Sequence, residues 1–171
     1  MKKTLIIALC CISVIFAACN KEKPNEKFIG AYQGQGTISG MISMTVLGQL
    51  FQEEIPSETM PMSINIAAGQ TDNEVVLTYH NDDPDMNLVF TGTVTDNKVT
   101  FNPLTVSQTV DGGSITGTID MAGTLNEAEG KLQIDGTFDA NGTIADGGFN
   151  QPYSLNGTIT ANLTKASTAT E

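Results

Sequence analysis

Between Ile115 and Leu163 apolar and polar residues alternate with hardly a slip. Ile115, Gly117, Ile119, Met121, Gly123 and Leu125 hold one phase, and Thr116, Thr118, Asp120, Ala122 and Thr124 hold the other. After the turn residues 126–130 the pattern resumes with Leu132, Ile134, Gly136, Phe138, Ala140, Gly142 and Ile144. It resumes again with Tyr153, Leu155, Gly157, Ile159, Ala161 and Leu163. A period of two sends successive side chains to opposite faces of a strand, so each segment predicts a long strand with one apolar and one wet face. The phrase that begins at Ile115 recurs 19 residues later at Ile134, and its first half returns at Leu155. A period near 20 is one long strand plus a turn, repeated as an antiparallel meander. The glycines fall on the apolar face, where a missing side chain lets a strand coil or lets a neighbour fill the gap. Asn141-Gly142 is also a two-residue hairpin signal, which would split the second long strand.

The earlier half follows the same alphabet more loosely. Residues 28–39 predict a first strand, and 41–51 a second after a break at Gly40. Residues 53–58 (EEIPSE) are expected to form an acidic loop. Further strands are predicted at 59–68, 74–80 and 86–95, with turns at GQTDN and NDDPD. Asp96-Asn97 is expected to make a tight hairpin into 98–101, Pro103 to break the chain before 104–110, and Asp111-Gly112-Gly113 to turn into the repeats. No stretch keeps a helical period for three turns. The expected class is all-β, an antiparallel meander of eight to ten strands. It would close as an up-and-down barrel or, as the alternative, fold over as a β-sandwich. Closure would leave no edge strand to aggregate.

The N-terminus follows different rules. Lys2 and Lys3 precede an apolar run from Leu5 to Ala18, too short for a permanent membrane span and shaped like a signal peptide. It ends at Ala17-Ala18-Cys19, which resembles the lipobox of bacterial lipoproteins. That resemblance implies cleavage after residue 18 and acylation of the Cys19 thiol. The competing reading, an ordinary secretory cut after Ala18, wants a small residue where Phe16 stands. Residues 20–27 (NKEKPNEK) read as a polar tether reaching roughly 25–30 Å when extended. Asn20, where inner-membrane retention favours aspartate, points to the outer membrane of the cell envelope, and Lys-Glu-Lys hints at surface display. Cys10 and Cys11 leave with the leader, so the exported chain has no intramolecular disulfide.

Charge narrows the partners. Loss of Lys2 and Lys3 takes the net charge from −11 to −13, and the chain has no arginine. Such a surface repels phosphate backbones, which argues against nucleic acid, and it disfavours direct adsorption to anionic lipid. A covalent anchor is then the expected route to the membrane.

With a lipobox, a short tether, an opening FIGAYQGQGTI and a final strand YSLNGTITANLTK, the chain resembles small envelope lipoproteins with calycin-like (lipocalin-like) β-barrels. The resemblance spans about residues 28–165 and leaves 166–171 as a frayed tail. It carries no Gly-x-Trp signature, because the chain has no tryptophan.

Candidate chemistry is sparse. His80 is the sole histidine, and Asp82, Asp83 and Asp85 follow it in a turn rich in Asx residues and proline. A polar turn is the leading reading. The three aspartates are the Ca²⁺ candidate, although they lack calcium-loop spacing. One histidine excludes the usual zinc sets, and no nucleophile elbow is present. Glu53, Glu54 and Glu58 read as solvated carboxylates. Met44, Met60, Met62, Met86 and Met121 all fall on the predicted interior face, where methionine fills gaps or lines an adaptable apolar pocket. The expectation is a non-enzymatic, lipid-anchored envelope protein without cofactor, whose barrel binds a small apolar ligand or acts as a passive scaffold. The alternative is an adhesion or glycan-capture accessory using the threonine rows Thr91, Thr93, Thr95, Thr116 and Thr118. Oligomeric state is left open.

Overall fold

A computed structural model describes residues 22–80, 87–110, 113–146 and 149–166. The predicted leader, Cys19, Asp82, Asp83, Asp85, Met86 and most of the tail therefore lie outside the described residues. Nine strands follow one another: β1 (Gly30–Val46), β2 (Gln49–Ala68), β3 (Glu74–Tyr79), β4 (Leu88–Thr95), β5 (Lys98–Phe101), β6 (Leu104–Val110), β7 (Gly113–Asn126), β8 (Lys131–Asp146) and β9 (Phe149–Lys165). Every pairing is antiparallel. Consecutive strands pair with one another except β5 and β6; β5 pairs instead with β7, and β1 pairs with β9 across the whole sequence. The ladders thus run round a ring, the barrel solution rather than the sandwich.

β5 and β6 are two halves of one course. Thr100 is opposite Ala122 and Leu104 is opposite Ile119, so both halves continue along β7 with a one-residue slip between them. Pro103, which has no N–H to give a ladder, sits at the break. Counted by course, eight strands make the wall.

The first hairpin departs from expectation. Gly40 does not end a strand and residues 53–58 are not a loop. β1 and β2 run on together to a turn at Leu47-Gly48, both with positive φ (+51° and +79°), the geometry of a type I′ hairpin. The register shifts where Ser39 alone faces Pro56-Ser57, a bulge between the pairs Ile38–Glu58 and Gly40–Ile55. A bulge is where a strand tolerates proline. Asn141-Gly142 likewise stays inside β8, its pairing partners on β7 and β9 continuous on both sides. The Asp96-Asn97 hairpin is where the sequence places it, with Asp96 at φ +53°.

Burial is graded along the barrel. Phe28, Tyr32, Ile64, Ile66, Val75, Leu77, Val99, Leu132 and Leu163 are at most 2% exposed, and all lie toward one end. There a strap seals the ring. Asn25, itself buried, donates from Nδ2 to the carbonyls of Thr71 (3.2 Å) and Glu74 (2.8 Å), and its backbone N–H donates to Asp72. Lys27 Nζ reaches Asn97 and Glu127 on the far loops, and the Phe28 side chain plugs the middle. Lys23 is ion-paired with Asp72 at 2.9 Å. The later part of the polar stretch read as a tether is therefore docked on the barrel.

Toward the other end the wall is incomplete. β3 pairs only with Ile64–Ala68 of β2, and among the described residues no strand pairs with the outer edge of residues 49–62 or of β6. Six strands, β2-β1-β9-β8-β7-β6, continue there as an open sheet. Among the described residues no helix is long and apolar enough to cross a membrane.

Candidate functional site

Cross-strand register builds the interior row by row. Opposite Ile38 on the same face stand Ile159, Gly136 and Met121. The next row is Ile55, Gly40, Gly157, Phe138, Ile119 and Leu104. The one beyond is Glu53, Ile42, Leu155, Ala140, Gly117 and Val106. A further row holds Phe51, Met44, Tyr153, Gly142, Ile115 and Gln108. The opposite face carries the threonines: Thr116, Thr124, Thr137, Thr143, Thr158 and Thr160 are exposed, and Thr118 is half-buried.

At mid-height, where the full ring gives way to the open sheet, an apolar cavity of about 120 Å³ remains. Met60, Met62, Ile119, Met121, Ile134 and Ile159 line one part, and Ile38, Ile64, Leu77, Tyr79, Leu88 and Phe90 the rest. Glycine shapes this interior by omission. A Cβ on Gly36 would stand 2.6 Å from Met62 Cε, and one on Gly157 would stand 2.7 Å from Phe138 Cε1. The space those glycines leave is taken by the neighbours' long side chains.

Of the five methionines singled out in the sequence, Met60, Met62 and Met121 come together at the cavity. Met44 lies higher, in an open groove with Ile42, Val46, Phe51, Gln52 and Glu53, and Met86 lies outside the described residues. Sequence reasoning placed the strands β3 and β4 but did not assign Leu77, Tyr79, Leu88 and Phe90 to the cavity wall, and it missed the apolar tip of the first hairpin. Leu47 is 100% exposed, Leu50 64% and Phe51 51%. The signal was available: Leu-Gly occupies a turn whose two positive φ values usually select Asn-Gly.

The polar candidates do not assemble. His80 is exposed at the end of β3, its backbone N–H bonded to Ser63. Glu53 and Glu58 face the interior side of β2 at its free edge, and Glu54 faces the other way. Among the described residues no group of three His, Cys, Asp or Glu side chains is placed to hold a metal ion. The outer hydroxyls are partly engaged with one another. Ser107 and Thr116 are 3.0 Å apart, Thr37 and Thr59 3.0 Å, and Thr91 accepts from Asn102 at 2.9 Å.

Fold and interior together define a class: an antiparallel up-and-down barrel, sealed at one end, open at the other, with an apolar cavity between. No family model matches the chain, and no curated protein matches it. Among solved structures it is similar to a Bacteroides ovatus protein of unknown function (12% identity, TM-score 0.32), with 75% of this chain and 41% of that one covered. It is also similar to a protein of unknown function from the DUF3598 family of Nostoc punctiforme (14% identity, TM-score 0.34; 78% and 47% covered). A third is the ywiB protein of Bacillus subtilis (15% identity, TM-score 0.30; 79% and 94% covered). The chain thus spans less than half the length of the first two.

Proposed function

We propose that this is a lipid-anchored envelope protein, without catalytic activity, whose barrel holds a small apolar ligand. One observation carries the ligand reading: the cavity lined by Met60, Met62 and Met121, with no charged group on its wall. Its size is comparable to an engineered apolar cavity of roughly 150 Å³ that stays dry and takes up benzene. An apolar void of this kind gains from any apolar guest that restores lost dispersion contacts. Thioether side chains suit such a site because they adapt to shape. The anchor reading is supported by the lipobox resemblance at Cys19.

Two measurements test the pair of claims. The full chain, expressed with its leader and purified from the envelope fraction, should release a stoichiometric apolar molecule to organic solvent, identified by mass spectrometry. A protein that comes away empty, and whose melting temperature no apolar compound raises, would refute ligand binding. Separately, Cys19→Ser should move the protein from the membrane to the soluble fraction. Unchanged fractionation would refute the anchor.

A further inference from the structure

The cavity is too small for a whole lipid-like molecule, and the apolar rows do not stop at its rim. From Ile38 to Val46 the interior face of β1 runs on for roughly 27 Å at ~3.4 Å per residue. It is flanked by Ile159, Leu155 and Tyr153 of β9, and none of these residues is fully buried. An occupant of this trough covers apolar surface that water now touches.

Charge decides which occupant. On the interior face of β1, Ile38 and Ile42, either side of Gly40, have Glu58 and Glu53 as their partners on β2. That edge is free among the described residues, and both carboxylates are exposed. The opposite edge presents Gln108. After the leader every lysine lies at positions 21, 23, 27, 98, 131 or 165, before β1 or at the sealed-end termini of β5, β8 and β9, and there is no arginine. The open half therefore has an acidic rim and neither lysine nor arginine. A second copy docked face to face would set glutamate against glutamate, and an anionic bilayer would meet the same repulsion. Strand addition along β2 is obstructed by Pro56 and Pro61, which offer no N–H.

Resting on the ligand reading above, we infer that the trough takes a single-chain amphiphile with a cationic head group, a long-chain alkyl amine. The alkyl chain lies along the face from Ile42 past Ile38 with its end in the cavity, and the ammonium sits beside Glu53, within the field of Glu58. A fatty carboxylate has no lysine or arginine to meet there.

The test is calorimetric titration of the purified barrel with tetradecylamine, tetradecanol and tetradecanoate, each below its micelle concentration. Tetradecylamine should bind at least tenfold more tightly than tetradecanoate in low salt, and the gap should narrow in 1 M NaCl. The double variant E53Q/E58Q should weaken the amine roughly fivefold, as two exposed ion pairs imply, and leave tetradecanol unchanged. Ile159→Phe, or Met62→Phe should the first not fold, fills the cavity and should weaken all three. Equal affinity for amine and carboxylate, or amine binding indifferent to E53Q/E58Q, overturns the head-group assignment while the apolar-ligand reading stands. If no chain binds, or if cavity filling leaves every affinity unchanged, both readings fall.

Discussion

Tyr32 shows how much a single side chain can be asked to do where the described residues include no cysteine. Its ring is fully buried, its hydroxyl donates to the Phe28 carbonyl at 2.9 Å, and Lys165 Nζ lies 5.9 Å from the ring centre. Burial pushes its pKa up to about 12. A group that holds its proton more tightly when folded contributes fully below its unfolded pKa near 10 and loses that contribution as pH rises toward 12. Alkaline unfolding should therefore steepen between pH 10 and 12, and Tyr32→Phe should remove that component. Below pH 10 the same change should cost about 1–2 kcal/mol, because the Phe28 carbonyl loses its partner. Denaturant titrations at several pH values check both statements. Leu47 is the opposite case. A leucine at φ +51° costs about 1–2 kcal/mol relative to an extended or right-handed conformation, and its side chain is fully exposed. Leu47→Asn should add about 0.5–1 kcal/mol of stability, read as a higher denaturation midpoint with an unchanged slope. A lower midpoint would show that Leu47 packs against something in the folded protein. Gly157→Ala should cost about 1–3 kcal/mol, because its new methyl meets the Ser39 carbonyl and the Phe138 ring.

Among the elements, the long β1–β2 hairpin and the strap Asn25–Phe28 divide the stability between them. Near the strap, β1 and β2 bury Tyr32, Ile64 and Ile66, whereas near the turn they carry only half-buried or exposed side chains. Amide exchange should follow that gradient, slow around Tyr32 and Ile64 and fast from Met44 to Phe51. Uniform protection along the hairpin would mean that its far end is covered in solution. Asn25→Ala, which removes the two hydrogen bonds the buried amide donates to the Thr71 and Glu74 carbonyls, should cost about 1–3 kcal/mol. Much of this layout was legible. The alternation from Ile115 to Leu163 placed β7, β8 and β9 and put their threonines outside. The first hairpin was misread because Gly40 and Pro56 look like chain breakers when each is considered alone. Paired, one is a ladder residue beside Gly157 and the other occupies the bulge opposite Ser39. The strap was illegible because nothing local marks Asn25 as buried. Its partners, Thr71 and Glu74, are more than 40 residues away.

For the whole molecule, closure depends on the pairing of β1 with β9, as between Ser39 and Thr158, separated by 119 residues. Sequence periodicity predicts each strand's faces but not that meeting. This is why a sandwich stayed open as an alternative, and why the three cavity methionines could be assigned to one face but not to one place. Electrostatics act at this scale too. Only three ion pairs are formed among the described residues, all at least partly exposed and screened by solvent, so they add little. Against them stands the self-repulsion of a strongly acidic chain. Repulsion should win, so raising NaCl from 10 mM to 0.3 M is expected to raise the melting temperature by a few degrees. A decrease would mean that those pairs matter more than the net charge. The strap has a last consequence. The chain enters the barrel through its sealed base, only six residues after Cys19 at Asn25. If Cys19 is acylated, the protein stands on the membrane like a cup on a table, its mouth turned to the surroundings, and any ligand it takes would arrive from the aqueous side.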